Sequence, residues 1–224
     1  MIENILFKLS IMLVPGLLAI TCHEVAHGFV AWRYGDPTAR MLGRLTLNPL
    51  KHIDIFGTLM LVVVGIGWAK PVPVVMENLR NPKRDMIWVS AAGPVTNIVL
   101  AILSALLLRF LNMLPSGGEE SNFVLMPLMY MVSFSVYINL LLAFFNMVPI
   151  PPLDGGRVLM GVLPHRQAMT LARIEPYGMI IIIALVFFTP VFSHILMPLL
   201  SVGIKLLAGP YSALVYKAAS FRVM

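Results

Sequence analysis

Apolar stretches near or beyond the roughly 20 residues needed to cross about 30 Å of hydrocarbon recur along this chain. A backbone inside hydrocarbon has no water to bond, so each stretch must satisfy its own N–H and C=O groups, as a helix does. The pattern predicts spans over about 5–33, 86–111 and 123–147, and a carboxy-terminal pair over 177–208 that turns near Thr189 to Ser193. The expected fold class is an all-α polytopic membrane protein with about five transmembrane helices. Composition agrees, since 59% of the residues are hydrophobic, 12% are charged and the mean hydropathy is +0.89, far from soluble globular values. The net charge of +6 does not point to nucleic acid, because the basic residues are scattered among loops that flank apolar segments. The expected partner is the lipid bilayer.

The whole chain, 1–224, reads as one membrane-embedded domain with no repeat and no appended soluble module. The start Met1-Ile2-Glu3-Asn4 lacks the basic cluster of a secretion signal, so the first apolar stretch is expected to be a retained helix. The region 34–85 mixes Gly, Pro and basic residues. Within it, Gly43 to Leu47 and Trp68 to Val74 read as extended or hairpin-like, because Pro opposes helix and Val favours strand. Phe56 to Ile66 is only half long enough to cross, which suits a re-entrant or interfacial element, and Arg157 to Leu163 suits a short interfacial helix.

Charge sets the orientation. Eight Lys and Arg residues lie from Arg33 to Arg84, Arg157, Arg166 and Arg173 follow the third span, and Lys217 and Arg222 lie in the tail. The connection Asn112 to Asn122 holds Glu119 and Glu120 and no Lys or Arg. By the positive-inside rule the amino terminus is outside and the carboxyl tail is in the cytoplasm. His23, Glu24, His27 and Asp154 then all fall at cytoplasmic ends of their spans.

His23-Glu24-Val25-Ala26-His27 is an H-E-x-x-H pattern. Four residues are about one helical turn, so both imidazoles leave one face and can hold one Zn²⁺. Glu24, one position on, can reach a water without ligating the metal, as a general base must. Three ionisable residues on an apolar span are costly and mark function. The single cysteine, Cys22, excludes an internal disulfide or a cysteine-based metal cluster, so His and carboxylate must supply the ligands. On a regular helix Cys22 points away from the metal and reads as a packing residue. A catalytic zinc takes three protein ligands, and Asp154 is the leading candidate for the third. Asp154-Gly155 is also a common turn pair, and both roles can hold together. His52 and Asp54 carry no assigned chemistry, and His52 is expected to be a solvated loop histidine.

Together with Gly93-Pro94-Val95-Thr96-Asn97 and Asn146-Met147-Val148-Pro149-Ile150-Pro151-Pro152-Leu153-Asp154-Gly155-Gly156, the H-E-x-x-H segment resembles the site-2 protease family of membrane-embedded zinc peptidases. The resemblance implies one zinc per chain held by His23, His27 and Asp154, with Glu24 as catalytic base. It further implies that Asn146 and Asn97 hydrogen-bond substrate or intermediate, although an Asn on a membrane helix also often bonds a neighbouring helix. Gly93 equally suits close helix packing. The implied reaction is peptide-bond hydrolysis in or near transmembrane helices of other proteins, in a bacterial or archaeal cell membrane. Gly67 to Val74 is similar to the family's membrane-associated hairpin, which could present a strand edge to substrate. No PDZ-like or CBS-like module is evident. A zinc transporter or sensor, or an inactive scaffold for membrane helices, could use the same ligands, but polar groups gathered at one end of the spans with a base-like glutamate favour a hydrolase. A prenyl-protein endopeptidase would take a Glu as third ligand, against which the Asp154 motif speaks.

Overall fold

Helix follows helix through the computed structural model, which describes residues 2–64, 67–114 and 119–220. The order is α1 (Ile2–Arg33), α2 (Thr38–Met41), α3 (Ile55–Val64), α4 (Pro82–Met113), α5 (Glu119–Asn146), α6 (Asp154–Val162), α7 (His165–Ala172), α8 (Glu175–Phe188), α9 (Val191–Ala208) and α10 (Ser212–Ala219). Four segments are long and apolar enough to cross a membrane: Phe7–Arg33, Pro82–Met113, Phe123–Asn146 and Ser193–Ala219. α7 and α8, bent by 66°, make a fifth if the pair is one broken span. The protein is thus an integral multi-pass membrane protein.

The last span runs beyond its expected end at 208, because Pro210 sits in the first turn of a short 3-10 helix (Gly209–Tyr211). There its missing N–H costs nothing, and the chain continues as α10. α3 has ten residues, about 15 Å of rise and half a bilayer core, as its short apolar run suggested. The interfacial helix expected from Arg157 is α6, which begins earlier, at Asp154.

The chain forms two compact units, one of residues 1–19, 97–144 and 190–224, the other of residues 20–96 and 145–189. The first is packed around Leu108, Val136, Leu140, Ile204 and Val215, with Ala101, Ala105 and Ala208 thinning the helix surfaces. Its polar groups bond one another. The Asn97 side-chain amide donates to Asn139 Oδ1 (2.8 Å) and to the Ala19 carbonyl (3.2 Å), and Asn139 donates to the Ser135 carbonyl (2.9 Å). Buried amides among apolar helices need such partners, since no water competes for them.

In the second unit, α1 ends where Gly35 adopts φ +115° and the Asp36 N–H returns to the Ala31 carbonyl (2.9 Å). Asp36 is fully buried. Its carboxylate accepts from Thr38 N–H (3.0 Å), Val75 N–H (2.7 Å) and Asn78 Nδ2 (3.0 Å), which ties the end of α1 to residues 75–78. Burial alone would raise this carboxyl, but the hydrogen bonds from Thr38, Asn78 and Val75 hold it below the usual carboxylate range.

The expected β-hairpin does not form. Among the described residues the extended backbone makes one isolated antiparallel bridge, Ile53 to Ala69, with the Lys70 N–H on the His52 carbonyl (2.9 Å). Pro71 and Pro73 remove two donors from this segment, and carboxylates take two more: Val72 N–H donates to Glu24 and Val75 N–H to Asp36. A strand with these donors missing or already engaged is a poor partner for a ladder. Residues 65 and 66 at its approach lie outside the described residues. His52 is also not solvated. It is 2% exposed, with Nε2 3.0 Å from the Thr46 carbonyl. Asp54 caps α3, accepting the Gly57 N–H at 2.7 Å; an Asp directly before an apolar helical run carries that signal.

Candidate metal centre

His23 and His27 sit one turn apart on α1, and their Nε2 atoms are 3.0 Å from each other. Asp154 Oδ2 lies 3.1 Å from His23 Nε2 and 3.3 Å from His27 Nε2. Tetrahedral zinc with bonds of about 2.0–2.1 Å sets its donors about 3.3–3.4 Å apart, so this triangle has the right edges to within a few tenths of an ångström. The three side chains are 8%, 12% and 13% exposed, so water competes weakly for them.

Two further observations show that the donor atoms suit a cation better than one another. His27 Nδ1 lies 2.7 Å from the Val89 carbonyl, which can only accept. That contact assigns the ring proton to Nδ1 and leaves the Nε2 lone pair facing the triangle. Asp154 Oδ2 is buried with no aligned hydrogen-bond donor, although two ring nitrogens lie within 3.3 Å. A bare His27 lone pair and an unpartnered carboxylate oxygen converging in a nearly dry triangle are costly unless a cation takes them up.

Close approach of α4 completes the wall. A Cβ on Gly93 would lie 2.5 Å from His27 Nε2 and 2.6 Å from His23 Nε2, so only glycine lets this helix pass against the imidazoles. Asp154 reaches them through a tight corner. Pro149, Pro151 and Pro152 prevent α5 from continuing, and α6 starts at Asp154 itself. A Cβ on Gly155 would strike the Met147 carbonyl and one on Gly156 the backbone of Ile150 and Pro151, so the glycine pair allows the chain to fold back on itself there. The carboxylate stands in the first turn of α6, where the helix dipole favours it.

Glu24 is half-buried beside the triangle in sequence, and its Oε2 accepts the Val72 N–H at 2.8 Å. Neither that donor nor the Val89 carbonyl was legible in the sequence, because both are main-chain atoms that any residue carries. Asn146, the last residue of α5, belongs to the same unit as the triangle. Asn97 belongs to the other unit, where its amide bonds Asn139 and Ala19. Cys22 is a half-buried free thiol.

Fold and donors together define a class: a multi-span membrane protein in which an H-E-x-x-H helix and a distant aspartate bring together three groups that could hold one metal. Comparison with known proteins is more specific. Residues 119–189 match the model of peptidase family M50, a stretch that holds Asn146 and Asp154. The chain is 37% identical over 211 residues to YwhC of Bacillus subtilis, named as a zinc metalloprotease, covering 93% of this chain and 95% of that one. It is 30% identical over 181 residues to Rip2 of Mycolicibacterium smegmatis, also named as a zinc metalloprotease, covering 78% of this chain and 66% of that one. Zinc metalloprotease MJ0392 of Methanocaldococcus jannaschii is 24% identical over 157 residues, 70% of this chain and 35% of its own. No solved structure matches. The chain belongs to peptidase family M50.

Proposed function

We propose that this zinc metalloprotease hydrolyses peptide bonds in or near transmembrane helices of other membrane proteins, in the manner of a site-2 protease. The donor triangle of His23, His27 and Asp154 carries the proposal, since three protein donors are the set that would hold a catalytic zinc. Bound zinc supplies Lewis-acid polarisation of water and of the scissile carbonyl. Glu24 takes a proton from the attacking water and returns it to the departing amine, so that water and peptide become a carboxylic acid and an amine. The Val72 N–H orients the Glu24 carboxylate by holding one of its oxygens. Asn146, in the same unit, is proposed to hydrogen-bond the substrate. For Asn97 the amide bonds to Asn139 and Ala19 favour a structural role, and substrate contact would require their exchange. A helical substrate hides its carbonyls in hydrogen bonds, so cleavable helices should contain Gly, Pro or Asn or unwind at an end.

Cleavage of a panel of single-span substrates by the purified protein and by Glu24→Gln, with metal content assayed on both, tests this function. The variant should lose about 10²–10⁴-fold in rate and keep one zinc per chain. Zinc in both with equal cleavage would remove Glu24 from the chemistry, and zinc in both with cleavage in neither would favour transport or scaffolding.

The amino terminus is proposed outside and the carboxyl tail and active site toward the cytoplasm of a bacterial or archaeal membrane. This orientation requires an odd number of crossings, hence the bent pair α7–α8 as the fifth. A fluorescent reporter fused at the carboxyl end should therefore mature in the cytoplasm, and a secreted phosphatase fused there should stay inactive. An active phosphatase would make α7–α8 a re-entrant pair.

A further inference from the structure

Between α2 and α4 lies a basic recess that neither zinc nor catalysis occupies. Arg44, Lys51 and Lys70 line one recess of about 570 Å³, whose apolar wall includes Leu42, Leu50 and Ile53 and whose lining includes no acid. Among the described residues none of the three cations forms an ion pair. Arg44 is only 9% exposed. One guanidinium nitrogen donates to the Lys70 carbonyl (2.8 Å), while Nε is buried with no acceptor. A buried guanidinium served only by a neutral carbonyl keeps its full charge uncompensated, which is costly unless an anion completes it. Lys51 and Lys70, both exposed, flank it.

The rim is as informative as the floor. Leu42 and Leu50 are 63% and 74% exposed, and Leu47, Ile55 and Phe56 nearby in the chain are also exposed. Large aliphatic side chains grouped beside cations suit a bilayer interface, where chains are buried in acyl tails and cations meet headgroups. A free anion would answer the charge and leave the leucines in water.

We propose that Arg44, Lys51 and Lys70 form a binding site for the headgroup of an anionic phospholipid, with its acyl chains lying along Leu42 and Leu50. The phosphate completes the Arg44 charge and the two lysines close over the headgroup. Lys70 stands two residues before Val72, so a lipid bound here adjoins the segment that holds Glu24. The site depends on the membrane setting alone and stands whether or not the chain cuts transmembrane helices.

Native mass spectrometry of the zinc-loaded, detergent-solubilised chain, titrated with phosphatidylglycerol and with phosphatidylcholine of the same acyl chains, reads the site directly. Among the described residues the hydrogen bonds of Lys51 and Lys70 run through their main chain, so Lys51→Gln/Lys70→Gln should fold normally. It is expected to bind phosphatidylglycerol about 25-fold more weakly, about fivefold per charge removed, with phosphatidylcholine unchanged. The control Arg166→Gln/Arg173→Gln, with the same net charge, should stay within about twofold of wild type by the same measure. Equal binding of the two lipids, or an equal loss in the control pair, would overturn the site in favour of diffuse surface charge. Displacement of phosphatidylglycerol by millimolar inorganic phosphate would overturn the lipid as ligand and leave a free-anion site. Preference for an acidic peptide over phosphatidylglycerol would reassign the recess to protein docking.

Discussion

Asp154→Ala is expected to abolish both zinc retention and cleavage while leaving the metal-free protein as stable as wild type. Loss of an outer partner of a metal ligand costs about 10–100-fold in affinity, and loss of a ligand should exceed that. The stability half of the prediction follows from the orphaned oxygen. Asp154 Oδ2 is buried without an aligned donor, so removing it from the metal-free fold takes away an unsatisfied group, which offsets the lost attraction of the carboxylate to the α6 dipole. Zinc should raise the unfolding temperature of wild type by an amount that grows with the logarithm of free zinc above its dissociation constant, and leave that of the variant unmoved, since only a folded site that binds the ion gains from it. Metal analysis and thermal unfolding with and without chelator separate the cases. Full zinc occupancy in Asp154→Ala would show that the third ligand lies elsewhere and that Asp154-Gly155 is only a turn.

Gly93→Ala should be nearly as damaging through one methyl group. That methyl would fall 2.5–2.6 Å from atoms of both imidazoles. His27 cannot easily withdraw, because its Nδ1 is held by the Val89 carbonyl one turn earlier on the same helix α4. Overpacking of this kind costs about 1–3 kcal/mol, taken here from the geometry of the donors. The variant is expected to keep its helical content and to lose most zinc affinity and cleavage. Gly16→Ala in α1 is the matched control, since a Cβ there meets nothing within 4 Å, and it should behave as wild type. Normal zinc binding by Gly93→Ala would mean that α4 does not press on the imidazoles.

Some of this protein was legible before any coordinates. Membrane spans follow from the length of apolar runs, because a helix in hydrocarbon needs no partner to satisfy its backbone. Pairing of His23 with His27 follows from the helical turn, whereas the capping role of Asp54 was not read from the sequence and emerged with its bond to the Gly57 N–H. The hairpin expectation failed at Val72. Its strand preference is local, whereas the carboxylate that captured its N–H group, Glu24, lies 48 residues away. His52 was misjudged for a different reason: its partner, the Thr46 carbonyl, is close in sequence but is a main-chain atom that residue type does not reveal.

Placement in the bilayer, the two imidazoles on one helical face and the glutamate beside them depend only on residues within a turn or a span of one another, and the chain alone decided them. Asp154 arriving 3.1–3.3 Å from those imidazoles, Gly93 making room for them, the Val72 amide holding Glu24 and the Val89 carbonyl holding His27 were decided by tertiary packing. Those contacts join segments tens of residues apart through main-chain atoms and empty space at a glycine, and neither leaves a mark in residue type.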